Sequence, residues 1–101
     1  MIIYNITAKV ASPEAERWLQ WMRNVHIPEM MRTGLFGEYR LCRLLEQDDG
    51  DGDTFVVQYH CDSAEHYGTY QKEHATLMRK KQMDNFGTAY VAFHTAMEIL
   101  V

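Results

Sequence analysis

Cysteine, proline, basic charge and long apolar runs are all in short supply, and each shortage excludes something. Only Cys42 and Cys61 occur in 101 residues. They form no Cys-x-x-Cys pair and fall in strand-like stretches, so two reduced sheet thiols are expected rather than a disulfide framework. The formal net charge is −4 and the basic residues are scattered, so a nucleic-acid surface, which needs a basic face, is not expected. The apolar start Met1–Ile6 lacks a basic leader and reaches Lys9 too soon for a membrane span or a secretory core, and a cytoplasmic protein is expected. Without secretion the Asn5-Ile6-Thr7 sequon carries no meaning. No Gly-rich phosphate loop, serine elbow or His-x-x-x-His pair occurs, so neither a metal nor another cofactor is called for. Asp49-x-Asp51-x-Asp53 imitates the start of a calcium loop. Thr54 stands where that loop needs glycine and His60 where it needs glutamate, so a solvated turn is expected.

What is present describes one globular domain over residues 1–101, with 47% hydrophobic and 24% charged residues. Ile2, Tyr4, Ile6, Ala8 and Val10 alternate with Asn5, Thr7 and Lys9, the period of a strand with one buried face. Ser12-Pro13-Glu14 reads as a helix start, with Ser12 as cap. The stripe Trp18, Met22, Val25, edged by Leu19 and His26, runs on until Pro28 interrupts it; a short turn through Glu29–Met31 can follow, closed by Gly34. Tyr39, Leu41, Arg43 and Leu45 share one parity of a second strand. Phe55, Val57, Tyr59 and Cys61 share one parity of a third, and an Asp/Gly-rich turn joins the two. Ser63 opens a second helix with the stripe Tyr67, Tyr70, His74, Leu77, Met78, Lys81. A last strand places Val91, Phe93, Met97 and Ile99 on one parity.

The expected elements are strands near 2–10, 37–47, 54–61 and 88–100 and helices near 13–27 and 63–84. That β-α-β-β-α-β order is α+β and ferredoxin-like: a four-stranded antiparallel sheet with both helices on one face. If each strand turns its apolar parity to the helices, the other sheet face carries Asn5, Thr7, Lys9, Arg40, Cys42, Gln58, His60, His94 and Glu98, with Leu44, Val56, Ala92 and Ala96 among them. Such a mixed bare face implies a covering partner, and a chain this short gains from one.

The chain resembles an uncharacterised family of short bacterial proteins, a domain of unknown function within the dimeric α+β barrel superfamily. The resemblance spans the whole chain. It rests on Met1–Thr7, Trp18-Leu19-Gln20-Trp21-Met22, His26-Ile27-Pro28-Glu29, Thr33-Gly34-Leu35-Phe36, Tyr39–Glu46, Tyr70-Gln71-Lys72-Glu73-His74-Ala75 and Phe86-Gly87. It implies a homodimer formed through the open sheet face. The superfamily spans antibiotic-biosynthesis monooxygenases, haem-degrading enzymes, isomerases and proteins without known activity, so the resemblance implies no reaction and carries over no catalytic residue.

The candidate site residues each admit two readings. His26, before Ile27-Pro28, is either a general base or a helix-terminal histidine held by the dipole. His74, on an apolar stripe, either opens into a helix–sheet cleft with Trp18, Met22, His26 and Tyr70, or is a hydrogen-bonded core histidine. Arg40, His60, His94 and Glu98 are either a polar ligand site lining a barrel or a network that specifies the dimer. Three functions follow: a homodimeric module binding a small ligand or a protein; a cofactor-independent oxygenase or isomerase acting on a small aromatic molecule; and haem binding through a histidine.

Overall fold

The computed structural model describes residues 1–45, 50 and 52–101. Its elements run β1 (Ile2–Ala11), α1 (Ala15–Trp21), a π-helical turn (Met22–His26), α2 (Ile27–Arg32), β2 (Glu38–Arg43), β3 (Gly52–Cys61), α3 (Ala64–Glu73), α4 (Ala75–Phe86) and β4 (Tyr90–Glu98). The strands form one antiparallel sheet in the order β2-β3-β1-β4. This is the ferredoxin-like α+β arrangement expected. The expected end of the second strand at 46–47 and the imitation calcium loop lie largely outside the described residues.

The alternation of β1 and β3 buries what it should. Tyr4, Ile6, Ala8 and Val10 of β1 and Phe55, Val57, Tyr59 and Cys61 of β3 join Trp18, Leu19, Met22, Ile27, Met30, Tyr70, Met78 and Phe86 in one core. Trp18 stacks on Phe55 with ring centroids 5.0 Å apart, and its Nε1 donates to Gln82 Oε1 at 3.4 Å.

The helices depart from expectation at three places. Chain entry to α1 passes through a 3₁₀ turn, Ser12–Glu14, with Pro13 inside it and no side-chain cap, so Ser12 is not the cap expected. Pro28 does not stop the first helix. The π-helical turn ahead of it bonds the Ile27 amide to the Met22 carbonyl, and the helical path then continues to Arg32. A π turn holds one extra residue, which moves the buried stripe from Met22 to His26 and leaves Val25 exposed. The second helix breaks at His74, where the backbone leaves helical angles (φ −125°, ψ −32°). The stripe then resumes through Ala75, Met78 and Gln82, and Leu77 faces solvent. Ser63 does cap α3, its Oγ accepting from the His66 amide at 3.1 Å.

The largest correction concerns β4. Ile6 pairs with His94, Tyr4 with Ala96 and Ala8 with Ala92, so Ala92, His94, Ala96 and Glu98 share the helix side with the core residues of β1. Val91, Phe93 and Met97 fall on the open face with Lys9, Thr7 and Ile3, the reverse of the expected parity. The reason is register: each β4 residue shares the face of the β1 residue opposite it, so the partners of Tyr4, Ile6 and Ala8 turn to the helix side whatever their hydrophobicity.

Candidate functional site

The expected cleft residues belong to the packed core. Trp18, Met22 and Tyr70 are essentially inaccessible, and His26 is 2% exposed. The Tyr70 hydroxyl donates to Met30 Sδ at 3.4 Å. His26 lies in the π turn, its ring stacked on Trp21 at 4.7 Å. No described residue offers a hydrogen-bond partner to His26 Nδ1. Burial lowers its pKa to about 4, against the opposing charge of Glu29, which is itself ion-paired to Lys81. His74 marks the α3–α4 break, partly buried, its ring 6.2 Å from that of Tyr70 and its amide bonded to the Tyr70 carbonyl at 2.9 Å.

The expected barrel-lining quartet is divided between the two sheet faces. Arg40 and His60 stay on the open face, where His60 Nδ1 lies 3.8 Å from a Glu38 oxygen. His94 and Glu98 lie on the helix side. The centre of the open face is instead a polar ladder running across three strands. The Asn5 amide nitrogen donates to Thr95 Oγ1 and Thr7 Oγ1, both at 3.3 Å, and Gln58 Nε2 donates to Asn5 Oδ1 at 3.2 Å.

His94 enters a constellation the sequence did not announce. Arg79 Nη2 donates to the Tyr4 hydroxyl at 3.5 Å, and that hydroxyl meets His94 Nδ1 at 2.7 Å. Burial raises the Tyr4 pKa, with Arg79 opposing; burial and then the Arg79 charge lower that of His94. Both shifts favour the uncharged rings beside a cation. Arg79 and His94 line a groove of about 360 Å³ between α4 and β4, with Met83, Tyr90 and Ala92. Only the register of β4 against β1 brings Tyr4 and His94 together, 90 positions apart.

A larger groove of about 590 Å³ lies on the other side, between the first helical run and the edge strand β2. Its apolar floor is Leu19, Ile27, Leu41 and Phe55, and Arg23, Arg43, Arg40 and Tyr39 also line it. Both volumes fall within the range of small-molecule sites. Among the described residues, no three His, Cys, Asp or Glu side chains converge as a metal site would require. Among the described residues, no helix is long and apolar enough to cross a membrane.

Sheet order, helices on one face and an uncovered opposite face define the class seen in dimeric ferredoxin-like proteins. Within it, the chain belongs to the family described as a domain of unknown function (DUF4286), which matches residues 1–100. No curated protein matches the chain. Among solved structures it is similar to a dimeric ferredoxin-like protein from an uncultured marine organism, with a TM-score of 0.74 at 10% identity, covering 99% of this chain and 95% of that one. It is also similar to an ethyl tert-butyl ether d (EthD) family protein from Bacillus halodurans, with a TM-score of 0.69 at 13% identity over 98% of this chain and 100% of that one. A third is a mutant form of SnoaB, a cofactor-independent oxygenase from Streptomyces nogalater, with a TM-score of 0.67 at 11% identity over 99% and 94%. Identities this low establish the fold and leave the chemistry open.

Proposed function

We propose that this domain is a homodimeric binding module, in which two copies close sheet against sheet and a small ligand is held on the helix side. One observation carries the reading: Phe93 (69% exposed), Val91 (58%) and Met97 lie bare on a sheet face that no helix among the described residues covers. Fully burying each such side chain is worth about 1.5–3 kcal/mol, and a contiguous exposed apolar patch marks an interaction surface. The ladder through Thr95, Asn5 and Gln58 supplies polar groups that set how two faces register. The dimeric ferredoxin-like neighbour lends support as a relative of the same fold. Light scattering at micromolar concentration tests the proposal. Twice the chain mass of 11.9 kDa is expected, and a monomer would refute it.

A second reading, a cofactor-independent oxygenase or isomerase acting on a small aromatic molecule, is favoured by the Tyr4–His94–Arg79 contact. A neutral His94 at a groove can accept a proton from an acidic C–H bond, and Arg79 can stabilise the resulting anion. His26 and His74 remain candidate bases, but each would have to emerge from its packing to reach a substrate. The test follows deuterium loss from anthrone labelled at its acidic carbon. Enzymatic exchange that disappears in His94→Gln supports the reading; exchange no faster than in buffer removes it.

A further inference from the structure

We infer that the groove between α1, the π turn and β2 binds an amphipathic carboxylate, its apolar body on the floor and its anionic head between Arg23 and Arg43. The inference deepens the ligand-binding reading above and rests on it, but not on the dimer.

Three observations converge on this site. First, the groove is a consequence of the fold. Strand β2 is an edge strand whose helix-side residues Tyr39, Leu41 and Arg43 extend beyond the helices, so Tyr39 is 51% exposed although its parity points inward. Leu41, partly exposed, and the nearly inaccessible Leu19, Ile27 and Phe55 together close the floor of this groove.

Second, the charge is one-sided. Arg23, Arg40 and Arg43 line the groove and, among the described residues, no carboxylate does, although acids outnumber bases 14 to 10 in the chain. Arg23 and Arg43 stand on the helix side of the groove, while Arg40 borders it from the open sheet face. Arg17 is paired with Glu14 and Arg79 with Tyr4.

Third, Arg43 is already placed. Its guanidinium sits 5.3 Å from the Phe55 ring centroid, so the cation stands at the margin of the apolar floor. A planar guanidinium in that position suits the two oxygens of a carboxylate. A neutral apolar molecule would leave the arginines unanswered, and a small hydrophilic anion would leave Tyr39 and Leu41 uncovered. One molecule carrying both features satisfies the site.

Calorimetric titration of the full chain with 2-naphthoate, 2-naphthylmethanol and acetate tests the assignment. Naphthoate should bind at least tenfold more tightly than the neutral alcohol, and acetate should not bind measurably. Arg23→Gln and Arg43→Gln should each weaken naphthoate several-fold, and the double variant more. Arg32→Gln, outside the groove, should leave it unchanged. All these arginines are solvent-exposed, and circular dichroism verifies that each variant folds. Equal affinity for acid and alcohol, no measurable naphthoate binding, or indifference to both groove substitutions would overturn the inference. Light scattering on the same samples separates the two proposals. A dimer that binds no naphthoate loses the groove assignment alone, and a monomer that binds it loses the dimer alone.

Discussion

Ile6 and His94 face each other across the β1–β4 ladder. Because directly opposed residues share a sheet face, this pair sends His94 toward the helices and its neighbour Phe93 outward. It therefore creates both the Tyr4–His94–Arg79 contact and the bare apolar stripe on the opposite face.

The stripe should control assembly. Phe93→Asp puts a charge where the proposed seam would bury it, and the variant should elute and scatter as a monomer with unchanged circular dichroism. Leu77→Asp, on α4 and 54% exposed, is the control and should leave the oligomeric state alone. Equal behaviour of the two variants would count against the sheet-face dimer.

His26 should make the fold acid-sensitive in a defined window. Its folded-state pKa, lowered to about 4 by burial, lies below the unfolded value near 6.5. The unfolded chain therefore binds the proton more readily, and stability is lost as pH falls from 6.5 toward 4. The contribution is on the order of 3 kcal/mol. His26→Phe keeps a ring against Trp21 but cannot titrate, so its urea midpoint should fall less across that window. Parallel curves for the two proteins would show that His26 is not the group responsible.

Arg79 should depress the basicity of His94. Burial is the larger cause and the Arg79 charge the second. Arg79→Met should accordingly raise the His94 pKa while leaving it below 6.5. Proton NMR of the ring Cε1–H reads this directly, and an unmoved titration would break the electrostatic link between the two residues.

Two glycines should respond in opposite directions to alanine. A Cβ at Gly52 would sit 2.7 Å from the Val10 carbonyl oxygen, in the β1–β3 ladder. Gly52→Ala should cost about 1–3 kcal/mol, as overpacking does. A Cβ at Gly68, inside α3, meets nothing within 4 Å. Gly68→Ala should stabilise by about 0.5–1 kcal/mol through helix propensity. Urea denaturation measures both, and a shared sign would contradict the packing described.

Element order, the faces of β1 and β3, the Ser63 cap and the uncovered sheet face were all legible in the residues. Each depends on local periodicity or local capping chemistry, which a linear chain displays openly. In β4 the same rule misled, because Val91, Phe93 and Met97 outweigh Ala92 and Ala96 in hydrophobicity. The π turn displaced the first helix stripe for a related reason: one inserted residue is invisible to a 3.6-residue period.

The sequence by itself determined a ferredoxin-like domain with its helices on one sheet face, since alternation and helix signals suffice for that. Tertiary structure alone decided which chemical groups meet. Tyr4 reaches His94 only through strand register, and Arg23 and Arg43 line one groove only because the first helical run packs beside β2. Both relationships depend on how distant segments pair and pack, and no segment of the chain carries that information on its own.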